Sequence, residues 1–356
     1  MQYFAQRLRA ARKMNGFTLD ALSKRLEGKV SKQTLNKYEQ GALQPAVSWL
    51  LPLCEALLVR PDYFTRSKRV EIFSPSFRKL QKLSVKEQSV AIERTRDQVE
   101  RYLELEELMG IERNFERDIE NMPPVVEMFE QAEMAAEAVR TCYNLGSDPL
   151  FNVVELLESR GVIVVEIDAH EDFSGMSTYV EQNIPVIVLN VNVKNLDRKR
   201  FTALHELGHL LLPIENVDEK TEEQLCNAFA GAILLPGKKV IDILGKHRSA
   251  LIWNELVLIK QTYGISIRAI LYRARRFDII TDHDLTTKMA ELSRLYGRKR
   301  EPGWYEGVEK AVHFRQLLLR AIAEEIITMS KAASLDGKKL ADFRQALLSE
   351  NENSGN

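Results

Sequence analysis

The residues with the clearest chemical potential lie in one stretch, Phe201-Thr-Ala-Leu-His-Glu-Leu-Gly-His-Leu-Leu-Leu212. On a helix, positions i and i+4 share a face, so His205 and His209 can aim two imidazole nitrogens at one ion, at roughly 2.0 to 2.1 Å for zinc. Glu206 stands beside that chelate without being forced into it. That is where a general base must sit to take a proton from an attacking water, which is the chemistry of a metallopeptidase. The leucines at 204, 207, 210 and 211 surround the polar triplet with apolar surface and imply a buried helix whose histidines need partners.

A catalytic zinc site takes three protein donors and keeps one position open, so a third donor is needed. The run Glu222-Glu-Gln-Leu-Cys-Asn-Ala-Phe-Ala230 offers it. Glu223 and Asn227 share a helical face, so Glu223 could bind the ion while Asn227 braces a ligand histidine from behind. Glu222 and Glu219 are rival donors. A donor to stabilise the carbonyl oxygen is not identified; His170, His247, Tyr263 and Tyr272 are candidates with stronger claims as structural residues.

The elements that must carry this site are legible around it. Asp148-Pro149 reads as a helix start, with a stop at Gly161. Gly161-Val-Ile-Val-Val-Glu-Ile167 and Ile184-Pro-Val-Ile-Val-Leu-Asn190 are dense in β-branched residues and predict strands, with a further strand over 173–182. Helical patterns then run from Arg198 to Pro213 and from Thr221 to Leu235. Beyond 240 the chain reads as helical, apart from a polar loop near 298–304 and a frayed tail from Ser349 to Asn356.

Arg200-Phe-Thr-Ala-Leu-His-Glu-Leu-Gly-His-Leu-Leu-Leu212, followed by Glu223-x-x-x-Asn227-Ala-Phe-Ala230 and Leu234-Leu-Pro236, resembles the ImmA/IrrE family of metallopeptidases over about 147–280. Asp172-Phe-Ser-Gly175 and the strand ending Leu189-Asn190 extend the likeness. The resemblance implies His205, His209 and Glu223 as ligands of Zn2+ and Glu206 as general base. It also implies a strand edge that would hold an extended peptide by main-chain pairing. Cys226 stands where members more often carry alanine. Two histidines and a glutamate can also hold manganese or iron.

A second grammar occupies the N-terminus. Thr18 can cap a helix running to Leu26, Gly28 falls in a turn, and Ser31 can cap a helix running to Gln40. In such a pair the second helix enters the major groove, so Lys32, Gln33, Thr34, Asn36 and Lys37 are candidates for DNA contact. Arg9, Arg12 and Lys13 add charge for phosphates, with Glu39 as a competing partner for Arg12. Ser31-Lys-Gln-Thr-Leu-Asn-Lys-Tyr-Glu-Gln-Gly41 and Leu53-x-x-Ala-Leu-x-Val59 are similar to XRE-type, phage repressor-like helix-turn-helix domains. Leu19 departs from them where many carry glutamine. A basic turn and helix at Tyr263–Arg276 also looks like a helix-turn-helix, but Ile267, Ile270 and Leu271 give it a core stripe and favour packing.

The chain's 356 residues, 45% hydrophobic, exceed one ordinary core. The net charge of −1 conceals a polarity: residues 1–66 hold eleven Lys/Arg against five Asp/Glu, and 97–146 hold four against thirteen. Cys54, Cys142 and Cys226 are too scattered for a disulfide framework or a thiolate metal site. With no apolar run of membrane-spanning length and no signal core, the expectation is a cytoplasmic protein without a membrane partner. The predicted fold class is multidomain and mainly α: an all-α helix-turn-helix domain (1–66), a charged helical connector (67–146), an α+β minimal zincin, gluzincin-like peptidase domain (147–285) and a C-terminal helical region with a disordered tail (286–356). The functional expectation is a zinc endopeptidase coupled to DNA binding, acting on a protein such as a repressor or antitoxin in a phage, toxin-antitoxin or stress-response circuit. Its partners would be double-stranded DNA, that protein and a second copy in a homodimer. The alternative is a regulator whose peptidase-like domain senses or binds a partner without cutting it.

Overall fold

The computed structural model describes residues 2–66, 70–73, 83–181, 183–248, 250–297 and 300–353. The head is built from α1 (Gln2–Met14), α2 (Leu19–Arg25), α3 (Lys32–Glu39) and α4 (Leu50–Leu57). Thr18 and Ser31 cap α2 and α3 as their positions imply, accepting from the amides of Ala21 and Thr34. The apolar spacing of these helices brings Leu8, Leu22, Leu35, Leu53 and Leu57 into one core, all fully buried.

A two-residue strand, β1 (Ile72–Phe73), follows the head, and then the long helix α5 (Val85–Met109), opened by a Ser84–Glu87 capping box. Next come α6 (Phe129–Cys142), α7 (Val153–Ser159), β2 (Ile163–Ile167), β3 (Gly175–Val180) and β4 (Ile184–Asn190). The sheet order is β1-β3-β4-β2, with β2 parallel to β4 and the other pairs antiparallel. One face of this sheet meets α8 (Leu196–Leu211) and α9 (Glu219–Leu234). The other meets α5 and the C-terminal helices α14 (His313–Ala323), α15 (Met329–Leu335) and α16 (Leu340–Asn353). In sequence between α9 and α14 come α10 (Gly237–Leu244), α11 (Trp253–Tyr263), α12 (Ile267–Arg276) and α13 (Asp282–Tyr296), whose apolar residues join the core on the α8–α9 side. The fold class expected from the sequence is the one found: mainly helical, with an N-terminal helix-turn-helix and a small central sheet.

Four local expectations are corrected. No helix starts at Asp148-Pro149; α7 starts at Val153 with Asn152 as its cap. The carbonyls of Asp148 and Leu150 are taken by the guanidinium groups of Arg140 and Arg200, and so are not available to a helical turn. Second, the stretch expected as a connector is part of the cores. α5 lies between α1 and the sheet, and α6 packs along α9. Third, β1 was not foreseen at all, because two residues are too short for a periodicity to register. Last, α16 continues through Asn353, past Ser349 where fraying was expected, while 354–356 lie outside the described residues, as do 298–299 of the polar loop.

The basic head and acidic middle find each other. Arg7 of α1 pairs with Glu100 of α5, both side chains nearly inaccessible, and Arg66 pairs with Asp97 at 2.8 Å. Some of the head's positive charge is therefore spent on docking. The arginines of α12 are likewise engaged inside the protein: Arg273 grips Glu133 through two nitrogens at 2.5 and 2.9 Å, Arg275 holds Asp282, and Arg276 lies 3.8 Å over the Phe129 ring. That helix is a packing element, as its apolar stripe implied.

Candidate metal centre and DNA-reading helix

α8 owes its burial to Ala203, Leu204 and Leu207, each 0–1% exposed, and their withdrawal from water contributes about 1.5 to 3 kcal/mol per leucine. It is anchored at its first turns by Arg200, which is completely buried. The Arg200 Nη2 donates to the Leu150 carbonyl at 2.7 Å, and its Nε lies 3.4 Å from Glu309. α9 crosses α8 where Gly208 leaves no side chain. A Cβ there would meet Cys226 Sγ and Phe229 at 3.3 Å, so the missing methyl group lets the two helices approach closely. Phe229 and Ile233 continue the contact into the core.

This crossing brings His205, His209 and Glu223 together: one donor atom from each lies within 4.8 Å of the others. The two Nε2 atoms are 3.2 Å apart, and the Glu223 oxygens lie 3.3 Å from His205 Nε2 and 3.2 Å from His209 Nε2. Ligands of a tetrahedral zinc at 2.0 to 2.1 Å are separated by roughly 3.3 Å. The donor set therefore fits a zinc-sized divalent cation in both chemistry and spacing. Glu222, a rival donor on sequence grounds, instead meets His209 Nδ1 at 3.1 Å, and Glu219 lines the cavity outside the triad.

Glu206 is 1% exposed, and its Oε2 accepts a hydrogen bond from the hydroxyl of Ser177 on β3 at 2.9 Å. The cleft in front of these groups encloses about 680 Å³ between β3 and the two helices. Asn227 lines it but bonds neither histidine; the brace expected of Asn227 is made by Glu222 on His209. The Nδ1 of His205 is buried with no acceptor among the described residues. Nor do His170, His247, Tyr263 or Tyr272 line the cleft. Tyr179 does, its hydroxyl donating to the Leu210 carbonyl at 2.8 Å and its ring lying 4.1 Å beneath Arg117. Ser177, Tyr179 and the role of Glu222 were missed from sequence. Only the alternation of β3 could have pointed to the first two, since 177 and 179 share a face.

The strand edge expected to receive a peptide is partly covered. Ile72 and Phe73 pair with Val180 and Tyr179, so the chain's own β1 occupies that end of β3.

On α3, Leu35 and Tyr38 face the core. Lys32, Gln33, Asn36 and Lys37 are exposed and Thr34 is half-buried, its hydroxyl 2.9 Å from Ser31 Oγ. Lys32 lies 2.9 Å from Asp20, an exposed pair that little energy holds together. Arg12 is committed to Glu39 by two bonds of 2.6 and 2.7 Å, the competing partner that the sequence offered it.

Among the described residues, no helix is long and apolar enough to cross a membrane. No curated protein matches the chain. Residues 4–63 match a helix-turn-helix domain and residues 157–275 match the IrrE N-terminal-like domain, a peptidase family. These matches cover nearly all of the head's four helices and, of the second unit, β2 to β4, the triad and nearly all of α12, so the chain joins a helix-turn-helix domain to an IrrE N-terminal-like domain, the combination that matches an ImmA/IrrE family protein with an N-terminal helix-turn-helix.

Proposed function

We propose that this protein is a zinc-dependent endopeptidase of the cytoplasm, coupled to a DNA-binding head, which cleaves or controls a partner regulatory protein such as a repressor or antitoxin. The observation that carries the reading is the convergence of His205, His209 and Glu223 at tetrahedral spacing, with the buried Glu206 carboxylate beside them and fixed by Ser177. A bound divalent cation would supply Lewis acidity toward the scissile carbonyl. Glu206 accepts the proton of the attacking water and delivers it to the departing amine nitrogen. Ser177 holds that carboxylate in one orientation through both transfers. Glu222 fixes the ring of His209, which leaves Nε2 as the donor. A binding module would have no use for a glutamate between the two histidines.

Lys32, Gln33, Asn36 and Lys37 reach the major groove, with Thr34 at the rim, and a homodimer sets two heads on paired half-sites. The working division is a head over 1–66, a region over 67–146 whose helices join the cores, a peptidase unit over 147–285 and a helical C-terminal region beyond. The decisive experiment measures bound zinc and partner cleavage for the wild type and Glu206→Gln. Zinc retained with cleavage lost supports the enzyme. A wild type that binds zinc and its partner but cuts nothing makes the domain a sensor, and a wild type without zinc ends the metal reading.

A further inference from the structure

We propose that residues 70–73, which follow the head in sequence, are a latch that couples the head to the peptidase unit, with Glu100 as its pin. Two oxygens of this one buried carboxylate hold two different parts of the chain. Oε2 takes Arg7 of α1, in the DNA-binding head, and Oε1 accepts the backbone N–H of Val70 at 3.2 Å. The Val70 carbonyl is held in turn by Arg96 Nε at 3.2 Å, so this residue, 1% exposed, is fixed to α5 from both sides. The last residue of the head is tied equally closely: the Arg66 carbonyl accepts from the Tyr3 hydroxyl, and the Arg66 guanidinium binds Asp97.

Two residues beyond Val70 the chain becomes β1 and pairs with Val180 and Tyr179 of β3. The next residues of β3, Thr178 and Ser177, line the cleft, and Ser177 holds Glu206. A peptide that extends its pairing along β3 as far as Val180 must displace β1. Displacing β1 draws Val70 away from Glu100, which strips one hydrogen bond from a buried carboxylate and weakens its hold on Arg7. Occupation of the far end of β3 and looseness of the head are therefore linked, and by linkage the effect runs both ways. The inference rests on the peptidase reading only in taking β3 as the strand against which a peptide lies; its test requires neither metal nor cleavage.

Hydrogen exchange of the full chain at fixed pH tests it. The Glu181 amide bonds to the Glu71 carbonyl, so Phe73 and Tyr179 form the next hydrogen-bonded pair of the ladder. Phe73→Pro removes a donor there and should speed exchange in α1 by roughly tenfold or more, the scale of one lost bond to a buried charge. Glu100→Gln should in return speed exchange at Tyr179–Glu181, and the double variant should add little to either. Exchange in α9 should stay at the wild-type rate. If Phe73→Pro folds poorly, Ile72→Gly, which loosens β1 without removing a donor, must move α1 in the same direction. Changes confined to each variant's own segment, or effects that simply add, would overturn the latch while leaving the metal-centre reading untouched.

Discussion

Replacing Glu158 with glutamine should make the protein more stable in alkaline solution and leave it little changed in acid. The Glu158 side chain is 3% exposed at the end of α7. Its Oε2 accepts from the amides of Val312 and His313, at 3.0 and 3.2 Å, while Oε1 is buried with no hydrogen bond. Burial is the dominant influence and the two amides only partly offset it, so the carboxyl is pushed up from 4.5 to about 7. Below about pH 4.5 the group is protonated in folded and unfolded chains alike and costs nothing. As pH rises the unfolded chain releases the proton first, so stability falls until the folded carboxyl also ionises near 7, and the loss is constant above that. At about 1.4 kcal/mol per pH unit, the full loss is on the order of 3 kcal/mol. Glutamine keeps a carbonyl oxygen for the two amides and cannot ionise. Urea unfolding of both proteins between about pH 5 and pH 8 isolates this group in their difference, because the other titrations cancel. A difference that grows by about 2 to 3 kcal/mol toward pH 8 supports the assignment. A difference that stays flat across the range would refute it and would mean that Glu158 is solvated or paired as a carboxylate.

Two further changes have calculable outcomes. Gly161 has φ +84°, and a Cβ there would lie 2.2 Å from the Asn114 carbonyl oxygen; Gly161→Ala should cost more than about 1 to 2 kcal/mol in urea unfolding. Lys37→Ala removes an exposed cation from α3, so DNA affinity should fall about equally on all sequences and the salt dependence should shallow by about one phosphate's worth, whereas a change confined to one operator position would assign it a base contact instead.

The sequence made the candidate metal-binding cluster legible because its spacing is local. His205, Glu206 and His209 lie within a turn and a half, and Glu223 declares itself through the i+4 partner of a second helix pattern. Thr18 and Ser31 declare α2 and α3 for the same reason: a cap is a matter of three residues. What escaped was whatever depends on separations of tens or hundreds of residues. β1 is two residues long and exists only because β3 offers it an edge. Pro149 looks like a helix start until Arg200, fifty-one positions on, claims the carbonyl beside it. The acidic stretch reads as part of a charged connector, but Asp97, Glu100 and Glu133 are partners for arginines of other elements.

The supporting residue of the metal centre failed for a subtler reason. Asn227 and Glu222 lie on the same helix as Glu223, and an amide four residues from a ligand is a reasonable brace by spacing alone. A brace must face the outer nitrogen of a histidine, however, and that direction is fixed by how α8 and α9 cross, which in turn depends on Gly208 resting against Cys226. With that crossing, the Nδ1 of His209 points toward Glu222 at 3.1 Å. A carboxylate there accepts the Nδ1 proton and so fixes the tautomer that presents the Nε2 lone pair to the triad, and its negative charge strengthens that lone pair as a donor. His205 has no such acceptor among the described residues. As ligands of a bound cation the two histidines would therefore be unequal, and removing the carboxylate with Glu222→Gln should lower metal affinity by roughly ten- to a hundredfold while Asn227→Ala leaves it nearly unchanged, as competition with a chelator would measure. Equal losses from both variants would return the brace to Asn227.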